Sequence, residues 1–315
     1  MATTIDHRPM NPNTDTPFNA FKGLFYSLGG AMLLSTTWVI GKYALGGFNV
    51  ETFVVVWMSS AAAGALVIIV VTGQTARLAL PGNAVSGILL LGLATGAGMI
   101  TGWAGLKRLD PSFSAFIWRL LPVLGILFGV IFLREKMTIL ELLPMAVMFL
   151  GGCLGTIGRW HIVGTGVVLT LFACCASAVQ LLIAKIEVTQ VHPTIMVFYR
   201  NGIAAVLMGA WMILTGKAEL PVDWSYWLAT ILGAFIGPCA GFILTFRSYH
   251  YWELSRASMV MTMQPLFVLP LAYLFLDKLP DPKELLGGSI ILVGAFWLAY
   301  IHLRKKNKGH IAASG

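Results

Sequence analysis

The chain has 315 residues, of which 57% are hydrophobic and only 11% charged, with a mean hydropathy of +0.82. A soluble domain carries about 25% charged residues, so this chain has too few polar groups to cover a water-facing surface, and its exterior must face lipid. The net charge of +8 is scattered through short breaks and the C-terminal tail rather than gathered into a basic stripe with interleaved aromatics, which argues against a nucleic-acid partner.

Residues 1–20 are polar and proline-containing and read as a disordered cytoplasmic tail. The apolar run that follows continues through Trp38 and Ile40, too long for the core of a cleaved signal, and is expected to remain as a first span. A bilayer core takes roughly 20 apolar residues per helix. Ten segments of about that length follow one another: 22–43, 51–71, 84–106, 111–132, 139–157, 163–185, 193–214, 225–247, 257–276 and 284–303. The breaks between them are short and hold nearly all the charge, which leaves no room for a soluble domain. The loop charges are nearly balanced between the two sides. Arg304, Lys305, Lys306 and Lys308 in the basic tail 304–315 therefore decide the orientation, with both termini cytoplasmic and the chain in the cell (inner) membrane.

The ten segments are two copies of one unit. A constant offset of 143 residues pairs Gly23 with Gly166, Lys42 with Lys185, Gly98 with Gly241, Pro122 with Pro265, Glu141 with Glu284 and Gly151 with Gly294. Gapless agreement across five helix pairs marks a tandem duplication. A unit with an odd number of spans starts and ends on opposite sides, so its second copy inserts upside down. The expected fold is an all-α membrane protein of ten transmembrane helices in two inverted five-helix repeats, 21–160 and 161–303. Transporters built this way bind their substrates near the midplane, where the repeats meet.

The local motifs carry a resemblance. Asp110-Pro-Ser-Phe-Ser-Ala is followed by Leu121-Pro122 and Phe132-Leu-Arg-Glu135-Lys136, and Leu254-Ser-Arg-Ala-Ser by Gln264-Pro265 and Phe275-Leu-Asp277-Lys278. With the duplicated five-helix unit, the chain resembles the EamA-type branch of the drug/metabolite transporter superfamily over roughly 20–303. The resemblance implies a basket of helices around a central cavity, lined by spans one to four and six to nine. It leaves the substrate open. An arginine that the family often carries early in the second span and its mate is present here as Arg200, while the matching position is Trp57.

Ionisable groups inside spans are the sharpest functional signals, because burying a charge at the bilayer centre costs about 2.5–3.5 kcal/mol or more. Arg119 lies eight residues into its segment, about 12 Å from the start at 1.5 Å per residue, and so near the midplane. Arg200 is shallower. All 13 Asp and Glu residues fall in tails, breaks or helix ends, so neither arginine has an obvious partner. Each therefore either meets an anionic group of the substrate in bidentate fashion or satisfies itself on backbone carbonyls and the interface. Trp118 and Gln264 are the next cavity candidates, then Gln180, which would need a partner in lipid. Trp38, Trp57 and Tyr199 are lining groups or interfacial anchors, with Asn201 and Trp103 behind them. Pro122 and Pro265 are repeat-related and read as paired hinges or static kinks. The glycine-rich spans around Gly92, Gly96, Gly98 and Gly102, and around Gly233, Gly237 and Gly241, read as close helix packing.

Four cysteines in apolar runs and six histidines in tails or near span ends provide no metal-ligand spacing and no nucleophile–base pair. No enzyme activity, cofactor or metal is expected, and no repeated ring of the kind that lines a channel is present. The expectation is a permease or exporter of small metabolites, favouring carboxylate-bearing compounds such as amino acids, working as a monomer or homodimer in the bilayer. The alternative is a non-transporting structural or sensory component on the same fold.

Overall fold

The computed structural model describes residues 17–108, 117–118, 120–134, 165–220, 223–261 and 263–276, with scattered helical positions between 140 and 151 and between 282 and 301. Among the described residues every extended element is a helix. In chain order these are α1 (Pro17–Ala44), α2 (Val50–Val71), α3 (Val85–Arg108), α4 (Leu120–Leu133), α5 (Thr165–Glu187), α6 (Pro193–Thr215), α7 (Trp224–Tyr251), α8 (Leu254–Met261) and α9 (Gln264–Leu276). Six of them, α1 to α3 and α5 to α7, are long and apolar enough to cross a membrane. The other four expected segments fall wholly or partly on positions outside the described residues. Of these, 257–276 is represented by the two helices α8 and α9 rather than one.

The local reasons for these helices are themselves repeated. Asn49 caps α2 by accepting from the Thr52 N–H at 2.9 Å, and its mate at the 143-residue offset, His192, caps α6 through Nδ1 from the Thr194 N–H at 3.3 Å. Both helices then end on a glycine in the left-handed region, Gly73 (φ 67°) and Gly216 (φ 63°), a conformation glycine adopts at little cost. A side-chain N-cap is worth about 1 kcal/mol.

The His192 cap carries a pH dependence. Burial and the positive charges of Arg247, Arg77 and His250 push His192 down to about 4. A depressed folded value means that the neutral form is favoured by folding. Its contribution is fully present above the unfolded value near 6.5 and is lost as pH falls from there towards about 4. The melting temperature of the detergent-solubilised protein should fall through that window. His192→Asn, which keeps a cap acceptor but does not titrate, should flatten the fall.

Small residues set the helix crossings. Gly30 of α1 lies against Thr245 and the Gly241 carbonyl of α7, and Gly237 against Thr37. At the offset positions, Gly98 of α3 lies against Ser177 and the Ala173 carbonyl of α5, and Gly102 against Ala173. Thus α1 crosses α7 through the same residue positions by which α5 crosses α3. The mates α2 and α6 pack on each other between these pairs. The outward faces carry Val67, Val70, Val206, Ile213 and Leu214, all exposed, as a lipid-facing surface requires.

One helix departs from regularity. Pro238 lacks an N–H, so the ladder of α7 widens into a π-turn over Phe235–Gly241. The Pro238 carbonyl accepts from Asn201 Nδ2 at 3.4 Å, which ties the irregular turn to α6.

Candidate functional site

Where α3, α5, α6 and α7 meet, a polar cluster is buried inside the apolar bundle. Thr95 of α3, Gln180 of α5, and Arg200 and Asn201 of α6 are all at least 98% buried. The Thr95 hydroxyl is the hinge of this cluster. Its one proton serves either the Leu91 carbonyl at 2.7 Å or Gln180 Oε1 at 2.9 Å. Its oxygen accepts from Arg200 Nε at 3.2 Å.

The guanidinium of Arg200 is laid over the ring of Phe242, with Cζ 3.5 Å from the centroid and 5.8 Å from that of Phe246. Arg200 does not snorkel to an interface, since its exposure is 0%. Nor does it bond freed carbonyls. Among the described residues, both terminal nitrogens, Nη1 and Nη2, have no hydrogen-bond partner, and neither has Asn201 Oδ1. The described ion pairs, Lys217–Glu51 and Arg256–Glu253, lie elsewhere. A buried donor left unmade costs about 1–3 kcal/mol, and more when charged. The site therefore presents an oriented, unsatisfied two-pronged donor whose flat face and Nε are already held.

The offset position shows the other half of the design. Trp57 takes the place of Arg200, fully buried and tilted against Phe53 (centroids 5.0 Å, interplanar angle 37°), which in turn meets Trp103 edge-on at 5.0 Å. Phe246 and Phe242 are the mates of Trp103 and Met99. One half thus sets an indole among aromatic rings where the other sets a cation, and Trp57 is a core residue here rather than an interfacial anchor.

The remaining candidates are dispersed. Tyr199 turns away from Arg200 and donates through its hydroxyl to the Leu78 carbonyl at 2.8 Å, beyond the end of α2. Trp38 and Trp118 meet edge-to-face at 5.7 Å, with Trp118 packed over Gly102. Gln264 donates through Nε2 to the Met261 sulfur at 3.5 Å, while its backbone carbonyl accepts from the Ser35 hydroxyl at 3.2 Å. Arg119 lies outside the described residues. Pro122 is on α4, and Pro265 is the second residue of α9, where a missing N–H breaks no bond; the rings of both are also outside the described set. Sequence reasoning reached Gln180 and Arg200 but missed Thr95 and Phe242, which become a site only because four helices converge there.

The sequence profile of the EamA-like transporter family matches the chain twice, over residues 21–156 and 164–300. The chain is 22% identical over 232 residues to the uncharacterized transporter YxxF of Bacillus subtilis (strain 168), covering 71% of this chain and 73% of that protein. A crystal structure superposes with a TM-score of 0.71 at 17% identity, covering 88% of this chain and 96% of the other. At that identity the likeness speaks to the fold alone.

Proposed function

The chain belongs to the EamA-like transporter family and is a multi-pass membrane transporter, and from that premise we propose that it moves small carboxylate-bearing metabolites, amino acids being the favoured case, by alternating access. In this reading ten spans form two inverted five-helix repeats, with both termini on the cytoplasmic side of the cell (inner) membrane, and Pro122 and Pro265 mark paired hinges. The observation that carries the reading is the Arg200 guanidinium, fully buried with Nη1 and Nη2 unpartnered. A carboxylate matches that fork with two parallel charge-assisted hydrogen bonds. Thr95 orients the guanidinium through Nε, and Phe242 supports its face. Because the group is closed off on all sides, a substrate reaches it only through an opening of the bundle, which is what alternating access supplies.

The test is counterflow in proteoliposomes across amino acids, organic acids, nucleosides and cationic drugs. Transport confined to cationic drugs would defeat the proposal. Thr95→Val, which removes the hydroxyl that orients both Arg200 and Gln180, should lower uptake of a carboxylate substrate about tenfold, the effect of one lost hydrogen bond to a charged group. Arg119→Gln in the same assay assigns or removes the second arginine.

A further inference from the structure

A second polar place lies about two turns along α6 from Arg200, at the end where α2 and α5 finish, α6 begins and α7 finishes. A cavity of about 340 Å³ opens there, lined by Arg77, Gln190, His192 and His250 together with apolar and small residues of the two connecting loops. Its volume is within the range of small-ligand pockets, about 300–1,000 Å³.

Among the described residues the charge at this end is mostly positive, and most of it is already spoken for. Lys185 Nζ donates to the Tyr249 and Trp252 carbonyls at 2.7 Å each, closing the C-terminus of α7. Arg256 pairs with Glu253, Lys22 lies over the ring of Tyr251, and Arg247 over that of Tyr26. Glu187, the other carboxylate at this end among the described residues, is buried against Gly87 of α3 and does not line the cavity. Arg77 is exposed, with no ion pair among the described residues. Arg77, His192 and His250 therefore line one cavity with no carboxylate among its described lining residues. His192 is depressed first by its burial and then by the charges of Arg247, Arg77 and His250.

Two further features point the same way. The cap bond from the Thr194 N–H engages Nδ1 of His192, so the neutral ring carries its proton on Nε2 and has that donor free. The cavity also sits at the N-terminus of α6, the positive end of the helix dipole.

We infer that this cavity binds a phosphate group, held by Arg77, His250 and the Nε2–H of His192, with the Gln190 amide as a further donor. Several donors converging from three elements suit a tetrahedral dianion better than a planar carboxylate. The phosphate belongs either to a free solute or to the headgroup of an anionic phospholipid. The inference does not depend on the transport reading, because it uses none of the residues around Arg200.

The experiment measures binding of inorganic phosphate to the full chain in phosphatidylcholine nanodiscs by calorimetry, and retention of phosphatidylglycerol by native mass spectrometry. Wild-type protein should bind phosphate or retain phosphatidylglycerol. Arg77→Gln and His250→Gln should each weaken that binding about tenfold or more. Phosphate binding identifies a free-solute site; retention of phosphatidylglycerol alone identifies a headgroup site. Because Arg77 and His250 are exposed, their replacement leaves the core untouched. As a check that is independent of affinity, the bound phosphate should raise the His192 pKa from about 4, read by NMR of the labelled imidazole. Binding insensitive to Arg77→Gln and His250→Gln, or no binding of either probe, overturns the inference.

Discussion

Replacing Arg200 with methionine should leave the melting temperature of the solubilised protein unchanged or raise it by several degrees, while abolishing uptake of a carboxylate substrate. The substitution removes one hydrogen bond, from Nε to Thr95, and the contact with Phe242. Together these are worth about 2–4 kcal/mol. It also removes two buried charged donors that have no partner, at about 1–3 kcal/mol each or more. The two sides nearly cancel, and experience with buried charges replaced by apolar groups of similar volume runs from neutral to about 4 kcal/mol stabilising. Transport should respond quite differently. Loss of a buried, two-pronged contact to an anion costs about 2–5 kcal/mol, which is at least thirtyfold in uptake at low substrate concentration. Arg200→Lys keeps the charge without the fork and should fall between the two. A methionine variant that is strongly destabilised yet transports at the wild-type rate would make Arg200 structural and remove it from the site.

The second large effect is expected at the crossing of α1 and α7. A Cβ on Gly30 would lie 2.5 Å from Thr245 Oγ1, 3.1 Å from the Thr245 nitrogen and 3.2 Å from the Gly241 carbonyl. Two of these atoms are backbone, so no rotamer change relieves the contact and the helices must separate. Gly30→Val should therefore lower stability by about 1–3 kcal/mol or more. The control is Gly202→Ala on α6, where nothing lies within 4 Å of the added Cβ. There the helix propensity of alanine is gained at no steric cost, worth up to about 1 kcal/mol, and the melting temperature should rise. Thermal unfolding monitored by size-exclusion chromatography reads both. Equal melting temperatures for Gly30→Val and the wild type would refute the close crossing.

Several features of the molecule are legible without coordinates, for identifiable reasons. The six described spans lie within a few residues of the apolar runs because the bilayer imposes its thickness directly on hydropathy. The 143-residue offset reappears as paired caps, Asn49 with His192 and Gly73 with Gly216, because capping is local chemistry that survives duplication. Arg200 stands out because a charge inside a span is costly whatever surrounds it. Thr95 does not stand out, since a threonine in a glycine-rich helix ordinarily bonds only the carbonyl four residues back, as Thr170 and Thr245 do. Its second and third contacts exist only because α5 and α6 arrive beside it. Trp57 misleads for the opposite reason: tryptophan near a span end suits the interface, yet here it occupies the buried position that its mate fills with a guanidinium.

The sequence by itself therefore determined the solvent this protein lives in, its duplication, and the six described spans with their ends, because each of these depends on composition, period or a contact between near neighbours in the chain. What it could not determine is where the polar side chains point. That was decided by the packing of α5 and α6 against α3, which brings Arg200 to within hydrogen-bonding distance of Thr95, more than a hundred positions away. The same packing withholds a partner from the two terminal nitrogens of Arg200, and that unmet demand, created by tertiary structure alone, is what the proposed substrate would satisfy.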